Sequence, residues 1–424
     1  MHDLLIVNGR VIDPSQNLDR VANVLIRDGK IADYDVPPSE GIETLDAAGK
    51  IVAPGLIDMH VHLREPGREE DETIETGTAA ALAGGFTSIA CMPNTEPPID
   101  TQGAVAFVYH EAARAKHCNV FPMGCVSKNR EGKELAELGL LVEAGAVAFT
   151  DDGAPVANSE LLRRAFEYCL MFDKVVCNHA EVRELTQQGV MHEGLVSLVL
   201  GLSGMPAAAE DVMVSRDIAL AEATGGRLHV MHLSTSGAVE ILRRAKRRGV
   251  RVTAEVTPHH LTLTDECLRR FDSNCKMNPP LRSRDHVETC IAGLKDGTID
   301  VIASDHAPHS SEKKMQELDQ APFGIVGLET TLGIIATKII EPGHLDWSTA
   351  LAKMTINPAR ILGIPKGTLA KGADADVTII DPQLQWTVDP AEFRSKSTNT
   401  PYAGERLKGR AVVVLVGGQV RFRR

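Results

Sequence analysis

The run Asp58-Met59-His60-Val61-His62-Leu63-Arg64 places two histidines two residues apart. In an extended strand such residues face the same way, so His60 and His62 present two imidazoles together. Neutral imidazole is the commonest metal ligand, although two ordinary histidines on a polar face would look alike in isolation. Four more N/O donors each follow an apolar, β-branched run. They are Asp152 in Phe149-Thr150-Asp151-Asp152-Gly153, His179 in Cys177-Asn178-His179-Ala180, His232 in Val230-Met231-His232-Leu233, and Asp305 in Ala303-Ser304-Asp305-His306. Singly, each could be a capping aspartate or a packed histidine. Together, six N/O donors without a thiolate suit zinc or a similar divalent ion, and they suffice for two ions sharing one carboxylate. Spacing alone leaves Asp151 and Asp152 equal as the shared one. Paired ions can bring a water between them to hydroxide near neutrality and polarise a carbonyl under attack, with Asp305 available to move the proton. This is a hydrolase constellation.

The runs that carry these donors are eight candidate strands, at 55–61, 87–92, 120–125, 146–150, 174–178, 228–232, 251–256 and 300–304. Helical stretches lie between them, such as 70–83, ending at Gly84-Gly85, and 207–224, ending at Gly225-Gly226, where glycine supplies a left-handed cap. The alternation predicts an α/β fold, a TIM-like (β/α)8 barrel in which the C-terminal ends of the strands converge on one face. An open doubly wound sheet has the same periodicity. The two chain ends read as short strands, at 375–380 and 411–416 among others, with Asn8-Gly9 and Asp28-Gly29 as hairpin signals and Gly417-Gly418 as a turn. Both ends are expected to form one small β-sandwich-like domain, 1–53 plus 366–424, flanking a catalytic barrel at 54–365.

A net charge of −12 argues against a nucleic-acid or anionic-membrane partner, which would require a basic face. The basic run at 243–248 reads as a solvated helix face. The longest apolar runs, such as 411–417, are too short to span a bilayer, and Met1-His2-Asp3 does not open a signal peptide, so cytoplasmic residence is expected. The eight cysteines include no C-x-x-C pair, which removes a thiolate zinc site and a dithiol redox motif; packed thiols without disulfides are expected.

The pattern Asp58-x-His60-x-His62, with single histidines after strands five and six and an aspartate after strand eight, resembles the amidohydrolase superfamily. The finer resemblance, over essentially the whole chain, is to the bacterial class I dihydroorotases. It implies that His60, His62 and Asp305 bind one zinc ion, that His179 and His232 bind a second, and that Asp152 bridges them. Hydantoinases, dihydropyrimidinases and allantoinases usually bridge with a carboxylated lysine after strand four, where this chain has Thr150-Asp151-Asp152-Gly153. The resemblance also makes Arg64 and Asn94 contacts to a substrate carboxylate, and Asn278, His309 and the Phe323-Gly324 backbone contacts to a ring. A guanidinium suits that task in a chain of negative net charge, although Arg64 could instead pair with Glu65, and Asn278 could be a turn residue before Pro279. The segment 305–329 then reads as a substrate loop, whose charged middle, Ser310-Ser311-Glu312-Lys313-Lys314, could equally be a solvated tip. His259 and His260 are left as supporting residues, and His2, His110, His117, His192, His286 and His344 as surface or packing residues.

The implied activity is the reversible cyclisation of N-carbamoyl-L-aspartate to L-dihydroorotate in pyrimidine synthesis, with metal-bound hydroxide attacking the ring amide in the hydrolytic direction. Two rival readings are a hydantoinase- or allantoinase-type cyclic amidohydrolase and a non-catalytic scaffold for aspartate transcarbamoylase; the complete donor set opposes the second. A homodimer is the default assembly, and aspartate transcarbamoylase a further partner in some relatives.

Overall fold

The computed structural model describes residues 3–424, so His2 lies outside the described residues. Leu56–Val61 runs parallel to Phe86–Cys91, which runs parallel to Asn119–Pro122. Phe149 then bridges Gly124 on one side and Val176 on the other. Val175–Asn178, Arg227–Val230, Val252–Val256 and Val301–Ile302 follow side by side, all parallel. A bridge between Val61 and His306, with the His62 N–H donating to the His306 carbonyl at 2.9 Å, returns to the first strand. The ring is therefore closed, and the open-sheet alternative is set aside. The eight apolar runs of the sequence are these eight segments. The fourth pairs only around Phe149 and forms no continuous strand.

Alternation along the strands separates two packed layers. Residues such as Ile57, Met59, Ala90, Met231 and Ala303 fill the inside of the barrel. Their neighbours Leu56, Phe86, Phe149 and Leu228 pack outward on the helices. The helix Ile74–Gly84 begins at Thr73, whose hydroxyl accepts from the Thr76 N–H, and ends at Gly85, held at φ 98° where a side chain would be strained. It starts four residues later than the sequence suggests, because Glu70 to Glu72 are drawn toward Lys313 and His306 instead.

The two chain ends share one sheet, in the order Gln419–Arg423, Arg406–Val416, Val377–Thr387, Ile51–Pro54, Leu4–Asp13, Leu18–Arg27, Lys30–Tyr34, with Glu43–Asp46 also on Leu4–Asp13. The antiparallel pairing of Ile51–Pro54 with Val377–Thr387 joins the two ends. Leu4, Ile6, Val52, Val377 and Leu415 form the core beneath it. Asp28-Gly29 and Gly417-Gly418 are turns as expected. Asn8-Gly9 is not: it is an irregularity inside Leu4–Asp13, whose pairing with Leu18–Arg27 resumes at Gly9. Asn8 is held there by its side chain on Asp46 at 3.0 Å and its N–H on Asn23 at 3.2 Å.

Two other expectations change. Cys267 and Cys275 are joined by a disulfide, because the short 3-10 turns Asp265–Arg270 and Ser273–Cys275 bring their Cα atoms to 5.9 Å; the other six thiols are free and buried. The basic run at 243–248 is the solvated helix face expected, with Arg244, Arg247 and Arg248 exposed, and it carries surface ion pairs of Arg243 with Glu240 and Asp296, Lys246 with Asp300 and Arg248 with Glu222. The middle of the loop after strand eight is only partly a solvated tip: Ser311 and Glu312 are exposed, but Lys314 is buried and donates to the carbonyls of Pro322 at 2.9 Å and Gly324 at 3.1 Å. Among the described residues, no helix is long and apolar enough to cross a membrane.

Candidate active site

The six donors singled out in the sequence meet at the C-terminal mouth of the barrel, and all are buried. Asp152 lies at the centre. Its Oδ2 faces the Nε2 atoms of His60 and His62, each at 3.5 Å, and its Oδ1 faces His179 Nδ1 and His232 Nε2, each at 3.5 Å. Asp305 Oδ1 stands 3.3 Å from His60 Nε2 and 3.1 Å from His62 Nε2. The carboxylate of Asp152 thus divides the histidines into two pairs.

Adjacent Asp151 points elsewhere. It accepts from the N–H groups of Val126 at 2.9 Å and Ser127 at 3.1 Å, and from the Ser127 hydroxyl. Arg130 fixes the turn by donating to the carbonyls of Asp151 at 3.0 Å and Asp152 at 2.7 Å. Asp58, two residues before His60 on the same strand, takes the Ser304 N–H at 3.0 Å and so ties the first and eighth strands together beneath the donors.

The fit of these residues to cations is tested by their outer contacts. His60 Nδ1 meets Glu255 at 2.5 Å, His62 Nδ1 meets Asn94 Oδ1 at 2.9 Å, and His179 Nε2 meets Glu181 at 3.0 Å. An acceptor on one ring nitrogen fixes the proton there and turns the other nitrogen's lone pair inward. His179 Nδ1 and His232 Nε2 approach to 2.9 Å, and His232 Nδ1 is buried without a hydrogen-bond partner. His60 Nε2 and Asp152 Oδ1 are buried without a hydrogen-bond partner. Three overlapping groups, His60/His62/Asp152, Asp152/His179/His232 and His60/His232/Asp305, each bring their atoms within 4.8 Å. The residues fit one or two divalent ions with N/O preference.

A cavity of about 320 Å³ opens above the donors, lined by Arg64, Asn94, Asn278, His309, Phe323 and Gly324, all expected at the site, and by Arg68. Arg64 is buried, donates from Nε to the Pro308 carbonyl at 3.1 Å, and makes no ion pair with Glu65. Burial, with the charge of Arg68 beside it, pulls the Arg64 guanidinium down to about 9. His309 donates from Nε2 to the Phe323 carbonyl at 2.8 Å, and its Nδ1 is left without a partner. Burial and the nearby Arg64 push its pKa down to about 2, so it is neutral at physiological pH. Asn278 donates to Glu181 at 3.1 Å. Gly324 sits at φ 117°, and a Cβ there would lie 2.6 Å from the Ala307 Cβ. Its N–H bonds the Lys276 carbonyl at 2.9 Å, so part of the Phe323-Gly324 backbone is already spent within the protein.

Residues 49–238 match the Dihydro-orotase-like family and residues 207–422 the Amidohydrolase family. The chain is 56% identical to a dihydroorotase of Pelotomaculum thermopropionicum, over 98% of each chain. It is 52% identical to one of Pelobacter propionicus over 100% of each.

The chain belongs to the dihydroorotase family.

Its fold is shared with solved cyclic-amide hydrolases. The L-hydantoinase of Arthrobacter aurescens superposes with a TM-score of 0.89 at 28% identity, covering 99% of this chain and 96% of that one. The dihydropyrimidinase of Brevibacillus agri gives 0.87 at 26% identity, covering 99% and 95%. Within a dihydroorotase frame, three residues at the site were missed by the sequence reading. Glu255 and Glu181 back His60 and His179, and Arg68 faces the cavity beside Arg64. Glu255 carried a usable signal, a lone carboxylate inside the apolar run 252–256. Glu181, two residues after His179, had the same-face spacing already used for His60 and His62. Burial alone would raise both carboxyls; the histidines they face override it and hold each at about 2. Arg68 had no signal beyond its charge. His259 and His260 are buried beside the site, His260 bonded to Thr257 and to the Pro279 carbonyl.

Proposed function

We infer that this chain catalyses the reversible cyclisation of N-carbamoyl-L-aspartate to L-dihydroorotate, a step of pyrimidine biosynthesis. The observation that carries this reading is a buried arginine, Arg64, facing the same cavity as a donor set divided in two by Asp152. Zinc is the proposed ion, one held by His60, His62 and Asp305 and another by His179 and His232, with Asp152 shared, and it would supply Lewis acidity toward a carbonyl and lower the pKa of water.

The chain's own residues do the rest. Asp305 is ionised, because the charge and hydrogen bonds of His60 and His62 outweigh the cost of its burial and hold it below the usual carboxylate range. In the hydrolytic direction it accepts a proton from the attacking water and passes it to the ring nitrogen as the amide C–N bond breaks, leaving a carboxylate and a ureido group. Arg64 grips the substrate carboxylate, and Asn94 turns its free amide N–H toward the same group while its oxygen holds His62. Asn278, His309 and the Phe323-Gly324 edge orient the ring, contributing position and not bond-making.

A hydantoinase-type substrate, a ring amide without the carboxylate, would leave Arg64 buried and unanswered. Leaving one partner of a buried charge pair without the other costs about 2–5 kcal/mol. Turnover of dihydroorotate is therefore expected to exceed that of dihydrouracil by about a hundredfold or more in kcat/KM. Equal turnover of the two would reject the assignment of substrate.

The same reading keeps a cytoplasmic homodimer, with aspartate transcarbamoylase as a further partner, and a catalytic unit at 54–365 beside a small domain of 1–53 plus 366–424. Leu195, Leu198 and Val199, exposed by 72%, 79% and 62% on one helix face, support an interface on the barrel side.

A further inference from the structure

A second cavity, of about 370 Å³, lies away from the catalytic mouth, where the last strand meets the segment after residue 390. Arg394, Arg423 and Arg424 line it together with Phe393 and Phe422, and the carboxylates in its wall are Glu329 and Glu392. Among the described residues, none of these three arginines has a carboxylate within 4.0 Å. Arg410, on the neighbouring strand, stacks on the Trp386 ring at 4.0 Å and reaches only Glu392, at 3.7 Å; its Nε is buried without a partner. Arg163, Arg216, Arg243 and Arg248, by contrast, each pair with a carboxylate.

Clustering like charges without partners is unfavourable in the bare protein, and a guest anion removes the penalty. Partial burial first, and the charge of Arg410 second, pull Arg424 down to about 10. Glu329 does not cancel the penalty. Its carboxylate oxygen is occupied by the N–H groups of Arg394 at 2.7 Å and Ser395 at 3.1 Å, and burial pushes the carboxyl up to about 7.

We propose that this cavity is a second binding site, taking a phosphate-bearing anion on Arg394 and Arg424, with Phe393 and Phe422 as apolar walls beside it. Guanidinium groups match phosphate oxygens bidentately, and more than one is needed for a dianion. Arg424 already lies over the Phe422 ring at 5.3 Å, so Phe393 would be the wall for a flat ring attached to the phosphate, whereas inorganic phosphate would use the arginines alone. The site is independent of the catalytic reading, since none of its residues lines the catalytic cavity.

The test is calorimetric titration of the zinc-loaded full chain with inorganic phosphate and, separately, with adenosine monophosphate. Arg394→Gln/Arg424→Gln and Arg64→Ala proteins serve as comparisons. Both arginines of the double variant are exposed, so it should fold, and its unchanged dihydroorotate turnover verifies this. We expect a dissociation constant below about 1 mM, weakened about tenfold or more in the double variant and unchanged in Arg64→Ala. A tenfold preference for the nucleotide assigns the site to a ring-bearing phosphoester; equal affinity assigns it to inorganic phosphate. No binding of either at about 10 mM, binding that survives the double substitution, or binding lost with Arg64 overturns the proposal.

Discussion

Arg64, His232 and Asp305 carry φ angles of 63°, 31° and 47°, a region that costs a non-glycine residue about 1–3 kcal/mol. All three line the same cavity, so the fold holds strained backbone where it aims these side chains into it. Their proposed roles differ, and so should their variants. Asp305→Ala is expected to lower kcat by about 10²–10⁴-fold, the usual worth of a positioned acid–base group. Arg64→Ala is expected to act mainly on KM for dihydroorotate, raising it about a hundredfold, because it removes binding common to ground and transition states. Steady-state kinetics separate the two; near-normal turnover by Asp305→Ala would remove its assignment as the proton carrier. At this scale the sequence was informative where side chains repeat every two residues, as in His60 and His62. It could not choose between Asp151 and Asp152, since neighbouring residues point to different sides and only the packed turn, fixed by Arg130, decides which side is the cavity.

The loop after strand eight is the element on which the mouth of the site depends. Lys314 crosses it from the short helix Ser311–Lys314 to the carbonyls of Pro322 and Gly324, while Lys276 reaches the carbonyl of Leu318 at 2.6 Å. These donors hold the Pro322-Phe323-Gly324 edge against the cavity. Burial and the nearby Lys276 bring Lys314 down to about 7, so its bonds to carbonyls are made at little charge cost. Replacing Lys314 by Met keeps the aliphatic stem and loses two hydrogen bonds, each worth about 1 kcal/mol. The expected result is a KM for dihydroorotate raised several-fold to about thirtyfold with kcat changed much less; an unchanged KM would mean the loop does not need this tether. None of this was legible in Ser310-Ser311-Glu312-Lys313-Lys314, because a lysine buries its stem and chooses its partners through tertiary contacts. The barrel strands were legible, since each is an apolar run bounded by turn residues. Asn8-Gly9 misled because a bulge and a hairpin turn draw on the same residues.

Across the whole molecule, the ring of strands gathers donors that lie as far apart in sequence as His60 and Asp305. Closure is made by the His62 to His306 bond and by Asp58 on Ser304, contacts between segments far apart in the chain that no local pattern announces. The sheet shared by the two ends caps one side of the same body, its own pairing set by Ile51–Pro54 against Val377–Thr387. Such an assembly leaves His60 Nε2 and Asp152 Oδ1 buried and unpartnered, and their outer contacts to Glu255, Asn94 and Glu181 are already in place. The proposed ring opening therefore requires a divalent ion. The direct measurement is dihydroorotate hydrolysis by one purified sample, assayed as isolated, after exhaustive chelation and after zinc is returned, with folding followed in parallel. Activity is expected to disappear on chelation while the chain stays folded, and to return with zinc. Undiminished turnover by a folded, metal-free sample would contradict that requirement.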